Sequence, residues 1–133
     1  PVVELLWQGI WNYVRVHDMH VMLGCASLEG TDPDGHALAL SFLAYHAVPP
    51  PEWAVRALPS RYVEMRRLLP EAVDERRALK ALPPLIKGYL RLGCYIGEGA
   101  VIDRQFNTID VLIILPVSAI NPRYFAHFGE PTG

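Results

Sequence analysis

Two short blocks of consecutive apolar residues constrain the fold of this chain most strongly. Val111 to Leu115 and Val21 to Ala26 are too short for a buried helix and have the length of a buried strand. A third extended run, Cys94 to Ile96, follows the helix-ending residue Gly93. Buried strands need helices to cover them, so we expect an α/β fold with one mixed sheet flanked by helices.

Five segments have helical character. Val2 to Val16 is apolar almost all round, which predicts a helix packed on the sheet. Asp32 followed by Pro33 predicts a helix start, with the helix running to about Ala47. We also expect an exposed helix over Glu71 to Lys80, a helix from Pro83 to Gly93, and a short final helix from Asn121 to Gly129.

Composition narrows the class of protein. A chain of 133 residues, 51% hydrophobic and 20% charged, supports one core, so we expect a single unit over residues 1–133 with a helical, insertion-like region at 27–80. The net charge of -2 does not favour nucleic acid as a partner, and no apolar stretch reaches the ~20 residues of a membrane-spanning helix. Cys25 and Cys94 stand in apolar runs, which predicts buried free thiols in a reducing cytoplasm.

The helix-to-strand junction carries a resemblance to a known family. Tyr89 to Cys94 has the form Tyr-x-x-x-Gly-apolar, which resembles the signature of the GNAT acyltransferase superfamily. The longer runs Leu82 to Gly93 and Ile102 to Val111 are similar to the C-terminal block of the ornithine lipid N-acyltransferases, some of which carry a hemolysin label. Cys25 to Pro33 resembles a second block of that family. The two blocks cover most of the chain in the expected order.

The resemblance implies an activity and its substrates. It implies transfer of a (3-hydroxy)fatty acyl group from acyl carrier protein to the α-amino group of ornithine, giving lyso-ornithine lipid. The donor is a thioester substrate, so no cofactor is expected. In GNAT proteins a Gly-rich loop that binds phosphate precedes the helix that would here begin near Pro1. The chain is therefore expected to be the C-terminal part of a larger enzyme and to be inactive alone.

The same resemblance assigns the donor side of the site. Tyr89 would donate the proton that the departing thiolate needs. The alternative is a tyrosine that only packs its helix on the sheet. The strand after Gly24 would hold the pantetheine arm through its backbone, at Cys25, Ala26 and Ser27.

Polar residues beside an apolar strand suggest the acceptor side. A guanidinium can hold a carboxylate with two parallel hydrogen bonds, and a neighbouring carboxylate can meet an ammonium. Arg104 would therefore hold the carboxylate of the acceptor amino acid, and Asp103 or Asp110 would meet its side-chain ammonium. The alternative is a hairpin with a solvated face. The candidate acceptor-binding residues are Asp103, Arg104, Asn107 and Asp110.

Other chemistries are poorly supported. His17 and His20 are three residues apart, but one lies at a predicted helix end and the other at a strand start, so we expect no metal site. The serines lack the Gly-x-Ser-x-Gly elbow of hydrolases. The alternatives left open are a related N-acyl amino acid or homoserine lactone synthase and a non-catalytic hemolysin-like domain. Peripheral membrane contact and a homo-oligomer are open as well.

Overall fold

The computed structural model describes residues 7–8 and 21–116. Its centre is a four-stranded sheet. The long strands β2 (Val21–Glu29) and β6 (Thr108–Pro116) pair antiparallel over nine residues each. The other side of β6 pairs with the short strands β4 (Tyr95–Ile96) and β5 (Val101–Asp103). The three apolar runs therefore share one sheet, as predicted.

The sheet differs from the expected mixed arrangement in one respect. All named ladders in the described residues are antiparallel, and the parallel pairing there is an isolated bridge between Arg56 and Glu98. Two long strands close in space but far apart in sequence can pair antiparallel without a crossover helix between them. The α/β class itself is confirmed.

The two faces of the sheet follow from the period-2 alternation of strand side chains. One face, here called the helix face, packs against the helices and is apolar throughout. The other, here called the second face, is apolar at one end and polar at the other. Helix-face residues include Ala26, Leu28, Ile109, Val111, Ile113 and Leu115. The apolar end of the second face includes Leu23, Leu112 and Ile114 and is covered by Trp53, Val55 and Ala57.

The helix predicted after Asp32 is present. The Asp32 carboxylate accepts a hydrogen bond from the Asp34 backbone N–H at 3.1 Å, and Pro33 opens a turn of 3-10 helix, Pro33–His36. The first α-helix, α1 (Ala37–His46), continues directly from it. A short 3-10 turn at Pro51–Trp53 and the two-residue strand β3 (Arg56–Ala57) follow.

Two further helices lie close to the predicted positions, although the first begins at Glu75 and not at Glu71. After a 3-10 turn at Pro70–Ala72, α2 (Glu75–Ala81) begins at Asp74, whose carboxylate caps the helix by accepting from the Arg77 backbone N–H at 3.2 Å. Helix α3 (Pro84–Arg91) ends before Gly93, which has a positive φ of 88°. That left-handed conformation favours glycine and turns the chain into β4.

The predicted helix over Val2 to Val16 is wrong at the two residues that the structure describes there. Trp7–Gln8 forms strand β1, which pairs antiparallel with β3. An apolar pattern on all sides does not by itself separate a buried helix from a buried strand. The rest of that segment and the final helix predicted at Asn121 to Gly129 lie outside the described residues. Within the described residues, every helix is too short or too polar to cross a membrane.

Candidate functional site

The polar end of the second face is organised around one carboxylate. Asp110 lies opposite Ser27 in the β2–β6 ladder and is only 8% exposed. Its Oδ1 accepts hydrogen bonds from the Ser27 hydroxyl at 2.7 Å and from the Thr108 hydroxyl at 2.8 Å. Within the described part of the chain, its Oδ2 has no hydrogen-bond partner. A buried carboxylate with an unused oxygen can accept a hydrogen bond from a cationic ligand.

Cys25 and Asp103 lie on the same face as Asp110. Cys25 is two residues from Ser27, and Asp103 pairs with Thr108 across the β5–β6 ladder. The prediction of a buried thiol is wrong for Cys25, whose side chain points to the second face and is exposed, although Cys94 is buried. Partial burial of the Cys25 sulfur, with the carboxylates of Asp110 and then Asp103, still raises its pKa from 9.0 to about 11. The thiol therefore stays neutral at pH 7 and is not an activated nucleophile.

The outer edge of β2 exposes backbone groups. The Gly30 N–H donates to the Asn107 carbonyl at 2.9 Å, and bonds of an antiparallel ladder recur at every second residue. Even-numbered residues of β2 therefore direct their backbone groups toward β6, and odd-numbered residues direct theirs outward. The His36 Nε2 lies 2.7 Å from the Glu29 carbonyl oxygen at this outer edge, which agrees with that alternation.

This alternation separates the three residues predicted to hold the donor. The backbone groups of Cys25 and Ser27 point outward from the sheet, where no strand of the described residues pairs with β2. Ala26 directs its backbone toward β6, and its side chain is buried in the core of the helix face. Cys25 and Ser27 are thus the two available to a ligand at this edge.

The hairpin between β5 and β6 holds the remaining acceptor candidates. The Asp103 Oδ1 accepts from the backbone N–H groups of Gln105 at 3.0 Å and Phe106 at 3.1 Å, and Asn107 has a positive φ of 57°. These two residues shape the turn, as the alternative of a solvated hairpin predicts. Arg104 is exposed, and its guanidinium has no partner among the described residues. A solvated hairpin face would leave Asp110 exposed, but Asp110 is buried.

The structure does not bring Tyr89 next to this polar end. Tyr89 lies on α3, half-buried against the core of the helix face, and its hydroxyl has no hydrogen-bond partner in the described residues. The sheet therefore stands between its ring and the Asp110 carboxylate. Among the residues that the structure describes, β2 is an edge strand of this sheet, so its outer edge can be approached from both faces.

Two features of the structure are not among those predicted from the sequence. The Thr108 hydroxyl donates to the same Asp110 oxygen as the Ser27 hydroxyl. Residues two apart on a strand share a face, so the spacing of Thr108 and Asp110 could have indicated this contact. A cavity of about 790 Å³ lies beside β4, at the opposite edge of the sheet from β2. No local motif marks it, because its lining comes from separate parts of the chain: Ala44, Val48, Pro49, residues 54–56, Tyr62, residues 64–66 and residues 96–99.

Comparison with known proteins gives consistent results. The chain is 54% identical over 127 residues to the L-ornithine N(alpha)-acyltransferase of Agrobacterium fabrum, covering 96% of this chain and 43% of that protein. It is 51% identical over 131 residues to the protein of that name from Rhizobium meliloti, covering 98% of this chain and 44% of the relative. It is 38% identical over 120 residues to the protein of that name from Rhodobacter capsulatus, covering 90% of this chain and 46% of that relative.

Two other comparisons found no similarity. No family model matches the chain, and no solved structure matches it significantly. The chain spans a little under half the length of the relatives it matches. Over nearly all of its own residues, the chain is therefore homologous to part of the L-ornithine N(alpha)-acyltransferases, and the resemblance drawn from its sequence blocks is confirmed.

Proposed function

We propose that the complete protein transfers a (3-hydroxy)fatty acyl group from acyl carrier protein to the α-amino group of ornithine, giving lyso-ornithine lipid. The observation that carries this proposal is the 38–54% identity, along nearly the whole chain, to proteins named for ornithine acylation. The thioester donor, the lipid product and a cytoplasmic location remain predictions from the family resemblance.

The polar end of the second face suits the acceptor. Ornithine carries two amino groups and a carboxylate. The buried Asp110 carboxylate would accept a hydrogen bond from the α-ammonium, with Ser27 and Thr108 fixing its orientation through Oδ1. Arg104, exposed on the hairpin at the same end of the sheet, would hold the carboxylate of the amino acid.

The outer edge of β2 suits the donor. The amide groups of a pantetheine arm can pair with the outward N–H and C=O groups of Cys25 and Ser27 as an added strand would. This would place the thioester beside Ser27, one strand away from Asp110. The donor and acceptor would then meet at one edge of the sheet.

The chemical step needs no enzyme nucleophile. After the α-ammonium gives up a proton, the amine nitrogen attacks the thioester carbonyl carbon, and a C–N bond forms as the carbonyl oxygen becomes an oxyanion. The attached nitrogen, positively charged after the attack, releases its second proton to water. The oxyanion collapses, the C–S bond breaks, and the thiolate takes a proton. Asp110 would receive the first proton, and Tyr89, the residue that the family resemblance assigns as the acid, would supply the last.

Steady-state kinetics of the complete protein with acyl carrier protein thioester and varied ornithine test this proposal. Asp110→Asn keeps an oxygen for the two hydroxyls but removes the charge, so kcat/KM should fall on the order of a hundredfold or more. The matched control is Glu71→Gln, an exposed carboxylate on a turn outside the site, which should leave the rate unchanged.

One result would reject the proposed activity, and another would reject the proposed acceptor site. The first is an absence of ornithine acylation by the unmodified protein with any acyl carrier protein thioester supplied. The second is an Asp110→Asn protein with full activity, which would remove the acceptor role of the second face.

A further inference from the structure

The cavity beside β4 has an apolar floor. Val55, Met65 and Ile96 line it and are each at most 3% exposed. Val48, on its wall, is 53% exposed, one of four large apolar side chains in the described residues that are left uncovered. The lining combines apolar side chains with polar and charged ones, and the volume of about 790 Å³ is in the range of small-molecule sites.

The shape of the cavity depends on a glycine. Gly99 has a positive φ of 86°, and a Cβ atom placed there would lie 2.5 Å from two carbons of the Tyr62 ring. The absence of a side chain at Gly99 lets that ring pack directly on the backbone, where both residues line the cavity. The cavity wall is therefore built by close packing, which a methyl group would disturb.

The charged groups of the cavity carry both signs. Arg56 Nε lies 3.2 Å from Glu98 Oε2, with side chains 67% and 53% exposed. Glu64 accepts a hydrogen bond from the Tyr62 hydroxyl at 3.3 Å, and the Arg66 guanidinium lies 5.5 Å from the centre of the Tyr45 ring. Because all four charged residues are exposed, they lie toward solvent, at the mouth of the cavity. An exposed ion pair is weak, so a ligand can replace it at little cost.

We propose that this cavity binds a single-chain amphiphile with a zwitterionic amino-acid headgroup, an N-acyl amino acid whose chain lies on the apolar floor. The headgroup carboxylate meets the arginines at the mouth, and the side-chain ammonium meets the glutamates. This rests on the proposed function, because such a molecule is the product of the reaction proposed above.

Other occupants fit less well. Free ornithine has three methylene groups beyond its Cα and would leave most of the apolar floor uncovered. A fatty acid would cover the floor but would use only the arginines at the mouth. The cavity lies at the sheet edge opposite the outer edge of β2, so it is placed to hold a completed product away from the reacting groups.

Equilibrium dialysis of the complete protein against N-acyl ornithines of increasing chain length, below their micelle concentrations, tests the inference. Each methylene that reaches the floor should tighten binding about three- to fourfold, until the cavity is filled and the affinity levels off. The fatty acid of equal length should bind at least about tenfold more weakly. If ornithine alone binds as tightly as the N-acyl ornithines, or if affinity does not depend on chain length, the inference is overturned.

Two variants locate the binding. Val48→Asp places a charge on the exposed wall and should weaken binding of the long-chain ligand about tenfold or more, while Leu85→Asp, an exposed leucine outside the cavity, should not. Arg66→Gln should weaken binding of the N-acyl ornithine about three- to tenfold, and the exposed Arg76→Gln should have no effect. Unchanged binding by Val48→Asp and Arg66→Gln would place the ligand elsewhere.

The binding measurement is independent of turnover. A protein that acylates ornithine but does not bind N-acyl ornithine in this cavity overturns the inference and leaves the proposed function intact. A protein that binds the amphiphile as described but does not acylate ornithine rejects the proposed function alone.

Discussion

The two faces of the central sheet contrast within a single strand. Along β6, Ile109, Val111 and Ile113 point to the helix face and are at most 3% exposed. Between them, Asp110 and Leu112 point to the second face, where one is a carboxylate and the other is apolar. The helix face is uniform, whereas the second face changes from apolar to polar along its length. The apolar residues that pack on the helices and the buried Asp110 carboxylate are thus carried by alternate residues of one strand.

Truncating a buried side chain on the helix face should lower the free energy of unfolding more than truncating a side chain at the polar end of the second face. Ile109→Ala removes three carbon atoms from a fully buried position, and we expect the free energy of unfolding to fall by about 2–5 kcal/mol. Its neighbour on the second face, Thr108→Ala, removes one hydrogen bond and should cost about 1 kcal/mol. Urea unfolding of both variants measures the difference. Equal losses of unfolding free energy in the two variants would contradict the difference between the faces.

Tyr89→Phe tests whether the helix face also contributes to chemistry. The change keeps the ring against the core but removes the hydroxyl, so the turnover of the complete protein should fall on the order of a hundredfold. Apparent affinity for ornithine and the unfolding midpoint should hardly change. Unchanged turnover would leave Tyr89 as a packing residue and restrict the chemistry to the second face.

Much of the fold could be predicted because its signals are local. Strand β6 is a continuous apolar block, α1 starts at an aspartate followed by proline, and α3 ends before a glycine with positive φ. The prediction at Trp7–Gln8 was wrong because its pairing with Arg56–Ala57 joins residues about fifty positions apart. Composition and local sequence patterns do not indicate a pairing between residues so far apart.

Less of the candidate site could be predicted, since it depends on register. The bond between Ser27 and Asp110 exists only because β2 and β6 align those residues. The sequence indicated both residues through family resemblance and polarity, but it assigned them to different substrates. It also grouped Asp103 and Asn107 with Asp110, although the first two shape the turn. The cavity beside β4 was not predicted, because four separate segments form it.

Arg104→Lys sharpens the assignment of the polar end. An ammonium cannot reproduce the two parallel hydrogen bonds of a guanidinium, so the KM for ornithine should rise about tenfold while turnover at saturation changes little. Arg91→Lys, an exposed arginine at the end of α3, is the matched control and should leave both constants unchanged. If ornithine dependence is the same in Arg104→Lys and the unmodified protein, the carboxylate is held elsewhere.

Cys25 should react slowly for a thiol at the surface. Burial first, and then the charges of Asp110 and Asp103, raise its pKa from 9.0 to about 11. Since the thiolate is the reactive form, the rate of alkylation by iodoacetamide should rise about tenfold per pH unit from pH 8 to 10. Between pH 9 and 11 the unfolded chain loses this proton and the folded chain keeps it, so this thiol's contribution to stability declines across that window.

Asp110→Asn isolates the electrostatic part of that shift. Removing the nearby negative charge should lower the pKa of Cys25 and speed its alkylation at pH 9 a few-fold, as followed by mass spectrometry of the modified peptides. Cys94 is the internal control, because burial and not a carboxylate raises its pKa to about 11. Its alkylation should not respond to the substitution. An unchanged rate at Cys25, or an equal acceleration at both cysteines, would contradict the placement of Cys25 and Asp110 on one face of the sheet.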